Sequence, residues 1–169
     1  RVGGEIRSFW QPDYTEVSIT TVAEAFDDAA WLLAEGIKNA QFEPEVVERA
    51  RKEALAEAQA EHAVKFRSTF MALRTLLYPP GHPYAYPFTG DMRYLERATP
   101  QDLQEFHRRS YTPDNLVIVV VGNVPAERVV EKFTTLLGSW EARSAVRRPA
   151  LAFTPLQEAS SKVREQPGN

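Results

Sequence analysis

Residues 116–121 constrain the fold of this chain more than any other segment. They read Leu-Val-Ile-Val-Val-Val, an unbroken aliphatic run in which most residues are β-branched. Such a run is typical of a strand buried on both faces rather than of an amphipathic strand. Gly122-Asn123 ends the run, Pro125 suits the first turn of a helix, and apolar residues then recur at helical spacing as far as Leu137. The pattern predicts a central, doubly covered strand followed by a helix.

The remaining segments predict a few strands around a cluster of helices. Aromatic and β-branched residues near the start indicate two strands joined by a turn at 11–13. Such strands and helices together indicate an α+β fold, with a mostly antiparallel sheet packed against a layer of helices. The other predicted elements are helices at 23–38, from Pro44 to about Val64, from Phe66 to Leu77 before Pro79-Pro80, at 92–97 and from Thr99 to about Ser110, and a short strand from Ala150 to Thr154.

Composition excludes several classes of protein. The chain has 169 residues, of which 43% are hydrophobic and 25% charged, as expected of a globular domain. A net charge of -3 argues against nucleic acid as the main partner. With 0 cysteines, neither a disulfide framework nor a thiolate metal site is available. The longest apolar run has the length of a strand, so no transmembrane segment is expected.

The helix that begins near Pro44 is rich in carboxylates. Glu53, Glu57 and Glu61 are spaced four apart and therefore share one face. Composition favours a solvated acidic face. The alternative is that one carboxylate, with Glu57 as the first candidate, is a metal ligand, since zinc accepts carboxylate oxygen alongside imidazole nitrogen.

The histidines offer little support for a complete metal site within the chain. There are three, and no two of them are spaced i, i+4; neither His-Glu-x-x-His nor His-x-x-Glu-His occurs. We expect His62 to be exposed near a helix end, His82 to form hydrogen bonds in a loop, and His107 to lie on the surface. No nucleophile elbow and no phosphate-binding loop is present either.

Four segments stand in an order that resembles one known family. They are Gly3-Gly4 with Arg7-Ser8-Phe9-Trp10, then Phe42-Glu43-Pro44 running on to Leu55-Ala56-Glu57, then Tyr78-Pro79-Pro80-Gly81-His82-Pro83-Tyr84 with Gly90 and Leu95, and finally Thr99-Pro100 to Phe106 followed by Tyr111-Thr112-Pro113 and Val121-Gly122-Asn123-Val124. Together they resemble the pitrilysin/insulinase family of zinc metallopeptidases, whose zinc motif is His-x-x-Glu-His. The resemblance covers nearly the whole chain up to Trp140.

The resemblance implies an N-terminal-type domain that lacks its His-x-x-Glu-His segment, which would precede Arg1. Two upstream histidines and Glu57 would then bind zinc in the intact parent, and this chain alone would hold no cofactor, no catalytic residue and no activity. Substrate binding would fall on Arg7, Ser8, Phe9 and Trp10, where a peptide could add an extended strand to a sheet edge. Burial preferences favour core packing for Phe9, Trp10 and Tyr14 instead.

Two positions depart from the family's pattern. Arg7 stands where the family has a substrate-side Asn, and Ala50 stands where it has an auxiliary helix Glu. These departures also fit the family's non-catalytic subunits and half-domains, and a structural subunit of a respiratory-type membrane complex is a third, weaker interpretation. The leading hypothesis is part of a zinc endopeptidase that cleaves peptides or unfolded proteins in a chamber of homologous domains. The alternative is a non-catalytic half-domain that binds substrate, or assembles a complex, without metal.

The resemblance also predicts the surroundings of the chain. Residues 1–142 are expected to form a partial peptidase-like domain, and residues 143–169, which are rich in arginine, proline and polar residues at their start and end, a linker toward a following homologous domain. The expected partners are a peptide or unfolded protein and a homologous peptidase-like domain or subunit. The compartment is open, with a bacterial periplasm or cell envelope suggested by the family alone.

Overall fold

A β-hairpin opens the chain. In the computed structural model, which describes residues 3–11, 13–87, 89–141, 159, 161 and 163, strand β1 (Gly4–Trp10) pairs antiparallel with strand β2 (Thr15–Thr21). Ile6 lies opposite Ile19, and Ser8 lies opposite Val17, so these side chains share one face of the pair. The predicted strands and the turn between them are confirmed.

Helices make up most of the remaining described residues. Pro79 explains where α3 ends, because a proline disfavours helical geometry in the residue before it, and Tyr78 is extended with φ -113° and ψ 136°. All of the predicted helices are present, with ends within a few residues of those expected. They are α1 (Phe26–Lys38), which follows a 3-10 turn at Ala23–Ala25, then α2 (Pro44–Ala63), α3 (Lys65–Leu77), α4 (Met92–Leu95), α5 (Pro100–Ser110) and α6 (Ala126–Leu137).

The chain divides into two compact units. Unit 1 draws on Arg1–Phe42 and Pro100–Arg147 and contains the hairpin, α1, α5 and α6. Unit 2 draws its described elements from Glu43–Thr99 and contains α2, α3 and α4. No helix in the described part of the chain is both long enough and apolar enough to span a bilayer.

The core of unit 1 lies along α1. Phe26, Ala30 and Ala34 recur at helical spacing and are buried. The ring of Phe26 meets the ring of Phe133 from α6 edge-on, with centroids 6.4 Å apart and an interplanar angle of 77°. β2 also packs on α1, so one strand of the hairpin is in contact with a helix.

The core of unit 2 combines small apolar residues with two arginines, of which Arg74 is buried and Arg51 is half-buried. Ala58 on α2 is 0% exposed. Arg51, also on α2, donates hydrogen bonds from Nη1 to the carbonyl oxygen of Glu96 at 2.7 Å and from Nη2 to that of Ala98 at 2.5 Å. These carbonyls follow α4, and a helix leaves its last carbonyls without intrahelical donors. Arg51 thereby fastens the end of α4 to α2.

The prediction of a central, doubly covered strand at 116–121 is wrong among the residues that the structure describes. The segment is extended at Leu116, but it belongs to no strand pair among the described residues. It is also not doubly covered, because Val117, Val119 and Val121 are exposed. An extended segment becomes a strand only by sharing backbone hydrogen bonds with a neighbour, and the described residues supply none for it. The strand predicted from Ala150 to Thr154 lies outside the described residues.

Candidate functional site

Glu57 lies on the exposed surface of α2, in unit 2. The alanine- and glutamate-rich sequence favours a long helix here, and Glu57 is exposed whereas Ala58 beside it is buried. Glu48, nearer the start of α2, is held by Arg51 at 3.1 Å and by Lys52 at 4.0 Å. Within the described residues no such ion pair involves Glu57 or Glu53.

The residues described around Glu57 do not make a zinc site by themselves. No group of three or more histidine, aspartate or glutamate side chains that could hold a metal ion occurs among the described residues. A zinc site uses about four ligands, so Glu57 fits the role of one ligand and no more. The side chains at 61–63, which include Glu61 and His62, lie outside the described part.

His82 has the hydrogen-bonding role predicted for it. Its Nδ1 accepts a hydrogen bond from the backbone N–H of Tyr84 at 3.1 Å, and its ring stacks on Tyr78 with centroids 4.6 Å apart. Gly81 precedes it with φ 90°, a conformation that favours glycine and explains the Gly-His-Pro turn. Arg74 of α3 donates from Nε to the carbonyl oxygen of Tyr84 at 2.6 Å, which fixes this loop to the helix.

The prediction that His107 lies on the surface is wrong. His107 is half-buried, and its Nε2 lies 2.7 Å from the carbonyl oxygen of Ile37 near the end of α1. Its ring stacks on Tyr111 at 4.7 Å and meets Phe42 edge-on at 5.8 Å. The neutral ring can donate to that carbonyl from Nε2. Sequence periodicity alone misses such a contact, because the acceptor is a backbone atom 70 residues away.

The four proposed substrate-binding residues lie together on β1, in unit 1. All of β1 is exposed, and β2 occupies one of its two edges. Phe9 and Trp10 are each 50% exposed, and Tyr14 is 56% exposed. The core packing that burial preferences favoured for these aromatics is therefore wrong in this structure. Arg7 forms an exposed ion pair with Glu5 at 2.8 Å.

Sequence reasoning did not identify the ionic contacts that position the surface loops. Asp91, just before α4, accepts from the side chain and the backbone N–H of Arg93. The hydrogen bond from the Arg93 side chain is the main cause that lowers the pKa of Asp91 below its usual value, and the backbone hydrogen bond adds to it. The contact is an N-terminal cap, and an Asp ahead of a short helix is the signal that would have found it.

Part of the chain matches a known family model. Residues 97–169 match the family model described as the Peptidase M16 inactive domain. An uncharacterized zinc protease of Mycobacterium leprae is 29% identical over 139 residues, which are 82% of this chain and 31% of that protein. The chain is similar to M16 peptidases. The pitrilysin/insulinase-type resemblance seen in the sequence is thus confirmed at the level of the family.

A second relative is the mitochondrial-processing peptidase subunit beta of Dictyostelium discoideum. It is 24% identical over 131 residues, which cover 78% of this chain and 28% of that subunit. The chain therefore spans only about a third of the length of the curated relatives it matches.

Solved structures share the fold of this chain. A protease from Helicobacter pylori matches with a TM-score of 0.81 and 21% identity, over 92% of this chain and 38% of that one. The first half of the periplasmic protease PqqL from Escherichia coli matches with a TM-score of 0.73 and 21% identity, over 88% of this chain and 32% of that one. At this identity the likeness establishes the fold, and it confirms the α+β class.

Proposed function

We propose that the chain is part of a zinc-dependent endopeptidase that cleaves peptides or unfolded proteins in a chamber formed by homologous domains. The observation that carries the proposal is the likeness to a zinc protease over 82% of the chain. The exposed carboxylate of Glu57, which no described cation engages, supports it. A ligand carboxylate must be free to reach its metal, and Glu57 meets that condition.

In this proposal Glu57 supplies one oxygen ligand, and two histidines outside residues 1–169 supply the others. Zinc, when bound, lowers the pKa of a coordinated water and polarises the scissile carbonyl. The chain's own contribution is to hold Glu57 in place. Ala58, buried next to it, lies on the inward face of α2, and packing on that face would hold the helix so that Glu57 stays exposed.

The second contribution is a binding edge for the substrate. Within the described residues β1 is paired along one edge only, and Arg7, Ser8, Phe9 and Trp10 lie on it in an extended backbone. An extended peptide could add to the other edge through main-chain hydrogen bonds, with alternate side chains setting preference. The exposed rings of Phe9 and Trp10 favour apolar groups on such a peptide.

A non-catalytic half-domain is the second candidate function. The observation that favours it is the match of residues 97–169 to a domain described as inactive. Arg7 and Ala50, which depart from the family's pattern, favour it as well. In this case β1 would bind substrate or a partner subunit, and Glu57 would belong to a solvated acidic face.

Partners and location follow from the same comparisons. A homologous peptidase-like domain as partner is supported by the match to one half of PqqL. We propose a division of the chain into a peptidase-like domain at 1–142 and a linker at 143–169. A cell-envelope location is supported by the periplasmic PqqL, whereas the Dictyostelium relative carries a mitochondrial name.

The test replaces Glu57 by Gln in the intact parent and measures zinc content together with peptide turnover. If Glu57 is a ligand, both fall together while the melting temperature changes little, because the side chain is exposed. Glu53→Gln is the matched control: Glu53 lies one turn earlier on the same face and is also exposed, so this variant should leave zinc content and turnover close to wild type. Equal and small effects at the two positions would favour the non-catalytic half-domain.

A further inference from the structure

One face of α2 is turned toward the rest of unit 2. Val47 and Ala58 are buried on this face, and Arg51 and Ala54 are half-buried between them. Their spacing of i, i+4, i+7 and i+11 places the four side chains along one narrow stripe of the helix. We call these four residues the inward stripe. α2 packs on α3 and α4, and the inward stripe is the part of its surface that this packing covers.

Arg51 is the long, charged member of the inward stripe, and its guanidinium is held from two sides. Nη1 donates to the carbonyl oxygen of Glu96 at 2.7 Å, and Nη2 donates to that of Ala98 at 2.5 Å. The carbonyl oxygen of Leu95, the last residue of α4, lies 3.4 Å from Nη1. On the other side, Nε lies 3.1 Å from a carboxylate oxygen of Glu48, one turn earlier on α2. The Arg51 side chain is accordingly only 19% exposed.

The other members of the inward stripe set the rotation of α2 only coarsely. Valine and alanine side chains are short, and their apolar contacts are non-directional, so they keep this face inward without selecting one angle. Hydrogen bonds from a planar guanidinium are directional, because they weaken steeply away from linear geometry. The bonds of Arg51 therefore fix the rotation and the axial position of α2 relative to the end of α4.

The position of Glu57 depends on that rotation. Glu57 follows Arg51 by six residues on the same continuous helix and stands directly beside the inward stripe, next to Ala58. A helix with its side chains has a radius of about 5–6 Å, so a rotation of about 20° moves a side-chain tip by about 2 Å. A zinc–oxygen bond is itself about 2 Å long, and a working site keeps its distances to within about 0.2 Å. A ligand carried by α2 thus requires a helix whose rotation is fixed.

We infer that Arg51 is a positioning residue of the zinc site, which acts through α2 to place the carboxylate of Glu57 within reach of the metal. The inference rests on the proposed function, in which Glu57 is a ligand. Arg51 does not bind the metal itself, because a guanidinium has only donor groups and no acceptor for a cation. Its donors are directed to the carbonyl oxygens of Glu96 and Ala98 instead.

The zinc affinity of the intact parent tests the inference. It is measured by competition with a chromophoric chelator, at a temperature where circular dichroism shows each variant to be folded. Arg51→Lys keeps the charge but cannot reproduce both carbonyl bonds, and it should weaken zinc binding by about 10-fold or more, as changes in residues that orient metal ligands do. Wild-type affinity in this variant would overturn the inference.

Arg74→Lys is the matched control for a general loosening of unit 2. Arg74 is also an arginine that donates to a backbone carbonyl, that of Tyr84 at 2.6 Å, but it lies on α3 and holds a loop rather than α2. This variant should leave zinc affinity close to wild type. Equal weakening in Arg51→Lys and Arg74→Lys would overturn the inference, because the loss would then follow from stability alone.

Cobalt(II) in place of zinc gives a second readout, the visible absorption of the bound metal, which depends on the geometry of its ligands. Arg51→Lys should shift these bands and Arg74→Lys should not; unchanged bands for Arg51→Lys would overturn the inference. If Arg51→Lys does not fold, Glu48→Gln carries the test. It removes the carboxylate beside Arg51 Nε at a half-exposed position, so it should also weaken zinc binding, and wild-type affinity there would overturn the inference.

Glu57→Gln in the same assay separates the inference from the proposed function. Zinc binding that is lost in Glu57→Gln but kept in Arg51→Lys overturns the inference and leaves the proposed function standing. Zinc binding that is kept in Glu57→Gln removes the proposed ligand, and both fail.

Discussion

Arg128 Nη2 lies 2.7 Å from Asp27 Oδ2, so an ion pair joins α6 to the first turn of α1 across 101 residues of sequence. Lys132, one turn further along α6, approaches the other carboxylate oxygen at 3.5 Å. The hydrogen bond from Arg128 is the main cause that lowers the pKa of Asp27 below its usual 3.8, with burial opposing it. Asp27 also lies at the start of α1, where a negative charge is favourable.

The ion pair between Asp27 and Arg128 should make the stability of the folded protein depend on pH in the acid range. Because the folded pKa of Asp27 is depressed, its contribution to stability is present above the unfolded value and is lost as pH falls through the lower folded value. The melting-temperature gap between wild type and Asp27→Asn should therefore be widest near neutral pH and close below pH 3.8. Asp28→Asn, an exposed neighbour on α1, is the control. A gap that stays constant with pH would contradict the prediction, and 1 M salt should narrow it.

Replacing Arg51 by Lys should destabilise unit 2 even though the charge is kept. The guanidinium reaches the carbonyl oxygens of Glu96 and Ala98 at once, and a lysine ammonium on a differently shaped stem cannot reproduce both bonds. We expect a loss of about 1–3 kcal/mol in the free energy of unfolding, measured by urea denaturation. Arg49→Lys, at an exposed position on the same helix, should change it by less than about 0.5 kcal/mol. Indistinguishable midpoints for the two variants would show that the bonds to the end of α4 carry no net stability.

Ala58 on α2 should tolerate no larger side chain. It is 0% exposed, so Leu at this position would force neighbouring groups apart. We expect Ala58→Leu to cost about 1–3 kcal/mol, read from the shift in denaturation midpoint. Ala56→Leu, two residues earlier and exposed, is the size-matched control and should be near neutral. Because packing at Ala58 also holds the face of α2 that keeps Glu57 exposed, the first variant should lower zinc content in an active parent and the second should not.

The isolated chain should not hydrolyse peptides and should bind zinc weakly. It offers Glu57 as one plausible ligand, where a catalytic zinc needs three from the protein. Zinc content after dialysis and turnover of a peptide substrate, each with and without EDTA, give the measurement. Stoichiometric zinc retained by the purified chain, or cleavage that EDTA abolishes, would contradict this.

Local sequence determined the helices and the hairpin well. The apolar spacing of α1, Pro44 near the start of α2, and Pro79 beyond the end of α3 each act over a few residues, so their effects do not depend on distant partners. The role of His82 was predictable for the same reason, because the N–H from which it accepts a hydrogen bond belongs to Tyr84, two residues away. The family was also readable from short motifs in order, and the match over residues 97–169 confirms it.

The candidate site was predictable only as a set of positions. The sequence placed Glu57 on a helix and Arg7, Ser8, Phe9 and Trp10 on one strand, as the structure has them. It could not predict the exposure of Phe9 and Trp10, because the sequence of an aromatic strand does not show whether another element covers it. Whether Glu57 binds metal stays a prediction, because a ligand is defined by its neighbours in space.

What the sequence by itself determined is the elements whose stability is local: the helices and the hairpin turn. Only the tertiary structure decided what becomes of groups whose partners are far away in the chain. His107 contacts the carbonyl oxygen of Ile37, and Arg128 pairs with Asp27. Residues 116–121 have the composition of an interior strand. Leu116 and Ile118 lie beside α1 and α6, and no strand among the described residues pairs with the segment. A helix closes its own hydrogen bonds, whereas a strand depends on a neighbour that its own sequence does not contain.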